Sequence, residues 1–271
     1  MIKPIEYERE ALRDAFRDAT PFPHVSMDPF LPEATADALA GAFPSFDQAS
    51  KVGKQFTAVN ELRKIQITDT EAFSGPIAEL NDFLASPEYL KELEFITGIP
   101  NLLADPTLAG GGIHMTGSRG RLDVHVDFNY LEEAKLYRRL NLLLYLNPVW
   151  ERSWGGAVEL WDEKVSTLHH SFEPKLNRCV LFETSQRSYH GVEEVRCPPD
   201  MTRNSFAVYY YTKEPPPDYP GYNHTTRFRA RPDEPLKKYV LMPAEKAKIA
   251  VKKGREKANR AKDKVKKLLG R

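Results

Sequence analysis

Cysteine, net charge and long apolar runs are all scarce in this sequence, and each shortage excludes something. Two cysteines in 271 residues, Cys179 and Cys197, make no disulfide framework. They read as free thiols in a reducing compartment. No uninterrupted apolar stretch approaches the roughly 20 residues that a membrane helix needs. The charged opening, residues 1–10, lacks the apolar centre of a signal peptide. The expectation is a soluble, cytoplasmic protein with no transmembrane segment. No internal repeat is visible either, which argues against a solenoid.

The net charge of +1 conceals an asymmetry. From Ala244 to Arg271 there are twelve Lys or Arg against three Asp or Glu, a net of +9, so the remaining chain carries −8. That tail has no aromatic residue, and it reads as a basic helix over 243–271. A solvated helix balancing an acidic body is the plainer reading. A weak electrostatic handle for an anionic partner, such as RNA, ribosomal material or an acidic membrane surface, is the functional one. Without aromatics it would touch phosphate rather than stack on bases.

The rest divides by pattern. Residues 1–108 are mainly helical. Ile5, Leu12 and Phe16 recur at helical spacing over 5–19, Pro32 opens a helix through Phe43, and two more cover 72–85 and 87–97. Ser86 and Pro87 start the last of these; Gly98 and Pro100 stop it. Over 109–213 the pattern becomes short strands, at 121–128, 138–146, 156–161, 177–183, 188–194 and 203–211, set apart by Gly, Pro and Asn. That spacing indicates an antiparallel sandwich or barrel. Residues 214–242 hold many prolines and read as an extended surface segment.

Three strands alternate in a telling way. Arg121, Asp123, His125 and Asp127 share one face, because side chains alternate with period two. So do Arg139, Asn141, Leu143 and Tyr145, and also Arg203, Ser205, Ala207, Tyr209 and Tyr211. The opposite faces are mostly apolar. Either the polar faces meet water, or they line a concave site while the apolar faces pack beneath the helices.

His125-Val126-Asp127 sets an imidazole and a carboxylate pointing the same way, as two adjacent corners of a metal site require. Alone, such a pair is equally a surface histidine beside a solvated acid. His190, on a separate strand, can supply a third ligand, and two His with one carboxylate form the facial triad of Fe(II) oxygenases. Arg203 lies within an apolar strand, where a cation needs a partner. Its planar fork suits a carboxylate, although a structural ion pair would also explain it. Tyr145 has the inward parity of its strand, and its hydroxyl could reach the same anion. His114, eleven residues before His125, can support a ligand, touch substrate or make a structural hydrogen bond; His169 and His170 read as loop or strand-end residues, and His24 and His224 have no identified partner. Trp154, Trp161 and Tyr189 fit a substrate cleft or, more commonly, a core.

The stretch from Gly110 to about Lys213 resembles the 2-oxoglutarate/Fe(II) oxygenases, in particular the prolyl 4-hydroxylase-like branch. The matching pieces are Gly110-Gly-Gly-Ile-His114, His125-Val-Asp127-Phe-Asn129, Leu142-Leu-Leu-Tyr145-Leu-Asn147, Trp154-Gly155-Gly156, His190-Gly191 and Arg203-Asn-Ser205. The resemblance implies a mainly β fold with flanking helices. Its core would be a double-stranded β-helix, or jelly roll, with the N-terminal helices packed on one sheet. It further implies that His125, Asp127 and His190 bind Fe(II) and carry the catalysis. Arg203, with Tyr145 and Ser205, would hold the distal carboxylate of 2-oxoglutarate. O2 is the other cosubstrate, with ascorbate as an optional reductant. The implied reaction couples decarboxylation of 2-oxoglutarate to succinate with hydroxylation of a substrate C–H bond.

Peptidyl proline is the first substrate the resemblance suggests. A free amino acid, a glycan precursor or another small metabolite is the alternative, so the partner beyond 2-oxoglutarate is a substrate protein or a small molecule. A cupin-like binding module without turnover would leave Arg203 and Tyr145 without a purpose. A protein working only through its tail would leave the triad unexplained.

Overall fold

The structure, a computed structural model, describes residues 2–58 and 60–243. The expected basic helix over 243–271 therefore lies, but for its first residue, outside the described residues. Helix α1 (Arg9–Asp18) starts where the Glu8 side chain accepts from the Ala11 amide, and it buries Phe16. Strand β1 (His24–Met27) follows, then α2 (Glu33–Gly41) and α3 (Phe46–Val52). Helix α3 was not anticipated, although Ser45 and Gln48 form a reciprocal capping box at its start. Next comes a hairpin, also unanticipated, of β2 (Lys54–Ala58) and β3 (Glu61–Ile67). Helix α4 (Gly75–Leu84) lies within the expected 72–85 and starts three residues later, and α5 (Pro87–Thr97) stands where its punctuation placed it. Ser86 caps α5, and Gly98 ends it in the left-handed conformation at φ 70°.

The β region runs β4 (Leu103–Ala104), β5 (Gly112–Val126), β6 (Tyr130–Leu131), β7 (Leu136–Tyr145), β8 (Val158–Trp161) and β9 (Leu168–Phe172). It continues with β10 (Cys179–Glu183), β11 (His190–Val192), β12 (Thr202–Thr212) and β13 (Arg227–Phe228). The strands make one curled sheet in the order β1-β10-β7-β12-β5-β11-β8-β9, every pair antiparallel.

Strand β5 makes the curl. Its first half pairs with β12 from Gly112 to Gly117, and its second half pairs with β11 at Leu122 and His125. The corner between the halves includes Gly120, where a Cβ would lie 2.3 Å from the Thr116 methyl and 2.7 Å from the Gly117 carbonyl. Only glycine fits there. The sheet thereby folds over on itself, and its two halves enclose a space.

The outer face carries the main core. Phe16, Leu39, Ile77, Leu80, Leu84, Leu93 and Ile96 from the helices pack on Ile113, Met115, Leu140, Leu142, Leu144, Phe206, Val208 and Tyr210 from the strands. Each such side chain contributes roughly 1.5–3 kcal/mol by burial. The alternation is thus resolved: the apolar faces lie beneath the helices, and the other faces look into the enclosed space. Among several register shifts, two break the period in strands that carry site residues. One residue of β7, Arg139, has no counterpart between Tyr210 and Tyr211 of β12, and β5 shifts register between Leu122 and His125.

Residues up to Arg229 form one compact unit, and the described residues from Ala230 onward belong to a second. Residues 214–229 are not merely a surface segment, as the prolines had suggested. They return to add β13 to β5, with Arg227 opposite Val126 and Phe228 opposite His125. In the second unit, Lys237 pairs with Glu234 at 2.9 Å.

Candidate active site

Three ligand atoms, one each from His125, Asp127 and His190, lie within 4.8 Å of one another in the mouth of the curled sheet. The strand register brings them together. His125 and Asp127 stand at the end of β5, and His190 pairs directly across from His125. Nδ1 of His125 donates to the Asp123 carbonyl at 2.9 Å, and Nδ1 of His190 donates to the Ser188 carbonyl at 2.9 Å. A carbonyl only accepts, so each ring holds its proton on Nδ1 and leaves the Nε2 lone pair for a metal. These atoms face the carboxylate, His125 Nε2 at 3.3 Å from Asp127 Oδ1 and His190 Nε2 at 3.4 Å from Oδ2. Two imidazole nitrogens and one carboxylate oxygen on one side suit a divalent transition metal with open positions opposite.

The surroundings favour the deprotonated forms of His190 and Asp127. Burial, and then the neighbouring His125, push the His190 imidazole down to about 4. Burial alone would raise the Asp127 carboxyl. The Arg138 guanidinium, followed by His190 and His125, overcomes it and holds the carboxyl well below its usual range. Phe182 meets the His190 ring edge-on at 4.7 Å and Phe228 lies 5.4 Å from the His125 ring, which screens the histidines from water.

The triad opens on a cavity of about 370 Å³ whose lining includes Arg203, Ser205, His114 and Thr116. Arg203 is buried, and its Nε donates to the Gly156 carbonyl at 2.5 Å. Gly156 has φ 72°, and a Cβ there would meet Arg203 Cδ at 3.1 Å. The glycine therefore lets the guanidinium anchor close to the backbone. No carboxylate pairs with Arg203 among the described residues. Tyr145 differs from expectation in one respect: it does not line the cavity. It lies beneath the floor among Phe22, Val158, Leu160, Val180 and Phe182, with the Arg203 guanidinium 4.9 Å from its ring centre. Its buried hydroxyl makes no hydrogen bond. Burial raises that hydroxyl against the pull of Arg203. A buried cation and a buried orphan hydroxyl at one end of a cavity fit an anionic ligand with a carboxylate at that end.

Two further residues belong here, and the period-two reading missed one of them. The β7 bulge turns Arg138, rather than Arg139, toward the cavity. Arg138 Nη2 lies 3.1 Å from Asp127 Oδ2, and its guanidinium stacks 3.5 Å from the Tyr209 ring centre. Asn141, correctly placed by parity, donates to the same Oδ2 at 2.8 Å and accepts from Arg138 Nη2 at 2.7 Å. Arg139 instead faces Glu183 at 3.8 Å. The other aromatic candidates serve the core: Trp161 and Tyr189 pack with Val124, Val126 and Val165. His24 and His170 sit together with ring centres 4.6 Å apart and take no part in the site. His224 bonds Gln186 at 2.6 Å.

Comparison with known proteins agrees with this arrangement. Residues 111–211 match the model of the 2OG-Fe(II) oxygenase superfamily. The chain is 35% identical over 78 residues to prolyl 3-hydroxylase OGFOD1 of Mus musculus, a stretch covering 27% of this chain and 14% of that protein. The Xenopus laevis counterpart is 37% identical over 62 residues, 21% of this chain and 12% of that one. The matched stretches thus span about one seventh of those relatives or less. Among solved structures, a Pseudomonas putida prolyl-4-hydroxylase superposes with a TM-score of 0.53 at 14% identity, over 75% of this chain and 100% of its own. A Trichoplax adhaerens prolyl hydroxylase, solved with a hypoxia inducible factor peptide, gives 0.54 at 18% identity over 76% and 90%. At such identities the likeness speaks for the fold, a jelly-roll core. Fold, matched model and ligand geometry agree: the β core of this chain, residues 111–211, is similar to the 2OG-Fe(II) oxygenase superfamily.

Proposed function

We propose that this protein hydroxylates a C–H bond with consumption of O2 and 2-oxoglutarate, and that its substrate is a peptidyl proline. One observation carries the reaction class: a His-Asp-His triad shares a cavity with a buried arginine that no carboxylate among the described residues neutralises. Iron(II), when bound, supplies the oxygen activation and accepts the keto-acid end of the cosubstrate. His125, Asp127 and His190 would hold the metal. Arg203 would pair with the distal carboxylate of 2-oxoglutarate, Ser205 beside it and the Tyr145 hydroxyl beneath. Phe182 and Phe228 would keep water from the histidine face. Peptidyl proline is supported by the prolyl hydroxylases among the relatives, and no residue of the site selects a free amino acid or glycan over it. A module that bound only a metal would have no use for a buried Arg203 that no carboxylate among the described residues neutralises.

The test is succinate formation by purified, iron-loaded protein. With 2-oxoglutarate and O2 but no added substrate, slow uncoupled succinate release is expected. A mass comparison of extract proteins treated with active or metal-free enzyme should show added oxygen on proline. Absence of any 2-oxoglutarate-dependent succinate refutes the reaction class. Oxygen added only to small molecules refutes the peptide.

A further inference from the structure

The cavity has a second basic region that the triad and the cosubstrate do not use. Its charged lining comprises Lys54, Lys64, Arg121, Arg138 and Arg203 against Glu61 and Asp127, a net of +3. A divalent metal and dianionic 2-oxoglutarate cancel each other, so the loaded cavity stays at +3. Arg203 is accounted for by the cosubstrate and Arg138 by Asp127. Lys54, Lys64 and Arg121 remain, with Glu61 opposing them in the lining and Asp123 and Glu194 flanking Arg121 from outside it.

Strand register shows where these cations stand. Arg203 of β12 lies opposite Thr116 of β5, and Thr116 lies opposite Lys64 of β3. Lys64 is thus two strands from Arg203, about 10 Å at the usual strand spacing. In the next row, Ser205 faces His114, His114 faces Gln66, and Gln66 faces Lys54 of β2, which puts Lys54 about 14 Å from Ser205. Arg121 is four residues before His125 on β5, about 13 Å along the strand. The three cations thus stand on β2, β3 and the corner half of β5, on other strands than the β12 that carries Arg203.

The three cations are unequally occupied. Lys64 pairs with Glu61 at 2.9 Å. Arg121 has carboxylates only at 3.8 Å, from Asp123 and Glu194, beyond hydrogen-bonding distance, and its buried Nε has no partner. Lys54 lies 4.8 Å from the Phe56 ring centre and makes no ion pair among the described residues. Arg121, three-quarters buried beside the cavity, is flanked by two carboxylates that do not reach its buried Nε, so it keeps a donor that an external acceptor can use.

We infer that the hairpin side of the cavity is a subsite for an acidic side chain of a peptide substrate, held by Arg121 and Lys54 with Lys64 as a further positive charge. This rests on the oxygenase reading above. The span decides for a peptide: the anion lies too far from the triad to be the carboxylate of a free amino acid being hydroxylated. At about 3.3 Å per extended residue, the acid stands two or three residues from the target proline. The outer strand β2 pairs only with β3 among the described residues and is largely exposed, which leaves an edge beside which an extended chain can run.

The test uses the full chain loaded with Mn(II) and 2-oxoglutarate in the absence of oxygen. Labelled proline peptides with Asp or Glu two and three residues from the proline are compared with Asn or Gln isosteres and with Lys versions, by fluorescence anisotropy. The acidic peptides should bind at least tenfold more tightly than their isosteres, and the margin should shrink between 50 and 200 mM salt. Arg121→Gln with Lys54→Gln should abolish the margin while the neutral peptide binds as before. Arg121→Glu with Lys54→Glu should transfer the preference to the Lys peptides. Equal binding of acid and isostere, or failure of every peptide to bind, overturns the inference. A margin that survives Arg121→Gln with Lys54→Gln also overturns it, since the anion is then held elsewhere, for instance by residues 244–271. Free glutamate or glutamyl-free acids competing as well as the peptide would remove the peptide. Uncoupled succinate release by the unaltered protein decides the oxygenase reading separately.

Discussion

Arg138 holds Nη2 3.1 Å from Oδ2 of Asp127, the carboxylate that also faces both histidines. With Asn141 donating to the same oxygen at 2.8 Å, Oδ2 has two donors and Oδ1 is the oxygen left for a metal. Arg138 therefore both aims the carboxylate and keeps it ionised against burial.

Arg138→Met should make metal binding depend on pH. Without the cation, burial raises the Asp127 carboxyl, and protons compete with the metal. Loss of such supporting groups costs roughly 10–100-fold in metal affinity. We expect a loss of that order for Co(II) at pH 6 and a smaller one at pH 8, followed by the visible spectrum of the bound ion. Affinity and pH dependence equal to those of the unaltered protein would show that Arg138 only packs against Tyr209.

Removing a triad side chain should end turnover without unfolding the protein. His125→Ala, Asp127→Ala and His190→Ala are each expected to reduce succinate release to background while circular dichroism retains the β signal. If two of the three keep near-normal rates in a folded protein, the metal is held elsewhere.

Arg203 should act on the cosubstrate. A hydrogen bond to a charged group contributes roughly 1.5–3 kcal/mol, so Arg203→Ala should weaken 2-oxoglutarate by about one to two orders of magnitude. Co(II) affinity without 2-oxoglutarate should change little. Tyr145→Phe should shift 2-oxoglutarate in the same direction by less, because its hydroxyl lies beneath the cavity floor. Unchanged 2-oxoglutarate affinity in Arg203→Ala would falsify the assignment.

The metal-free protein should lose stability in acid. Burial depresses His24, His114 and His190, the last to about 4. In the unfolded chain these rings titrate near 6.5. Between those limits the unfolded state binds more protons, so stability rises with pH up to about 6.5 and falls as pH drops toward 4. The depressed Asp127 carboxyl acts in the same direction at lower pH. Melting temperature in chelator should fall steadily from pH 7 to pH 5, and less steeply in His114→Gln. A flat profile would mean that these rings are protonated without cost.

Much of the site was legible because it depends on local geometry. The two-residue spacing of His125 and Asp127 puts both on one face wherever that segment is extended. The alternation in 139–146 and 203–211 correctly separated Asn141, Leu143, Arg203 and Ser205 from the leucines and Phe206 under the helices. Ser86 and Gly98 marked the limits of α5 through backbone chemistry confined to a few residues.

Other parts were not legible. The β2–β3 hairpin is polar and largely exposed along β2, so it carries no period-two signature, yet it supplies Lys54, Phe56 and Lys64 to the cavity. Strand β13 has two residues and exists only because β5 offers them an edge.

What the sequence by itself determined was the content of each strand face and the ligand pair at the end of β5, because side-chain alternation is a property of the single chain. Only the tertiary structure decided which faces meet. His190 reaches His125 through the pairing of β11 with β5, and Arg203 is set by the register of β12. The choice of Arg138 over Arg139 was tertiary as well. Two adjacent arginines have the same local chemistry, and a bulge forced by pairing with β12 turns one toward Asp127 and the other toward Glu183.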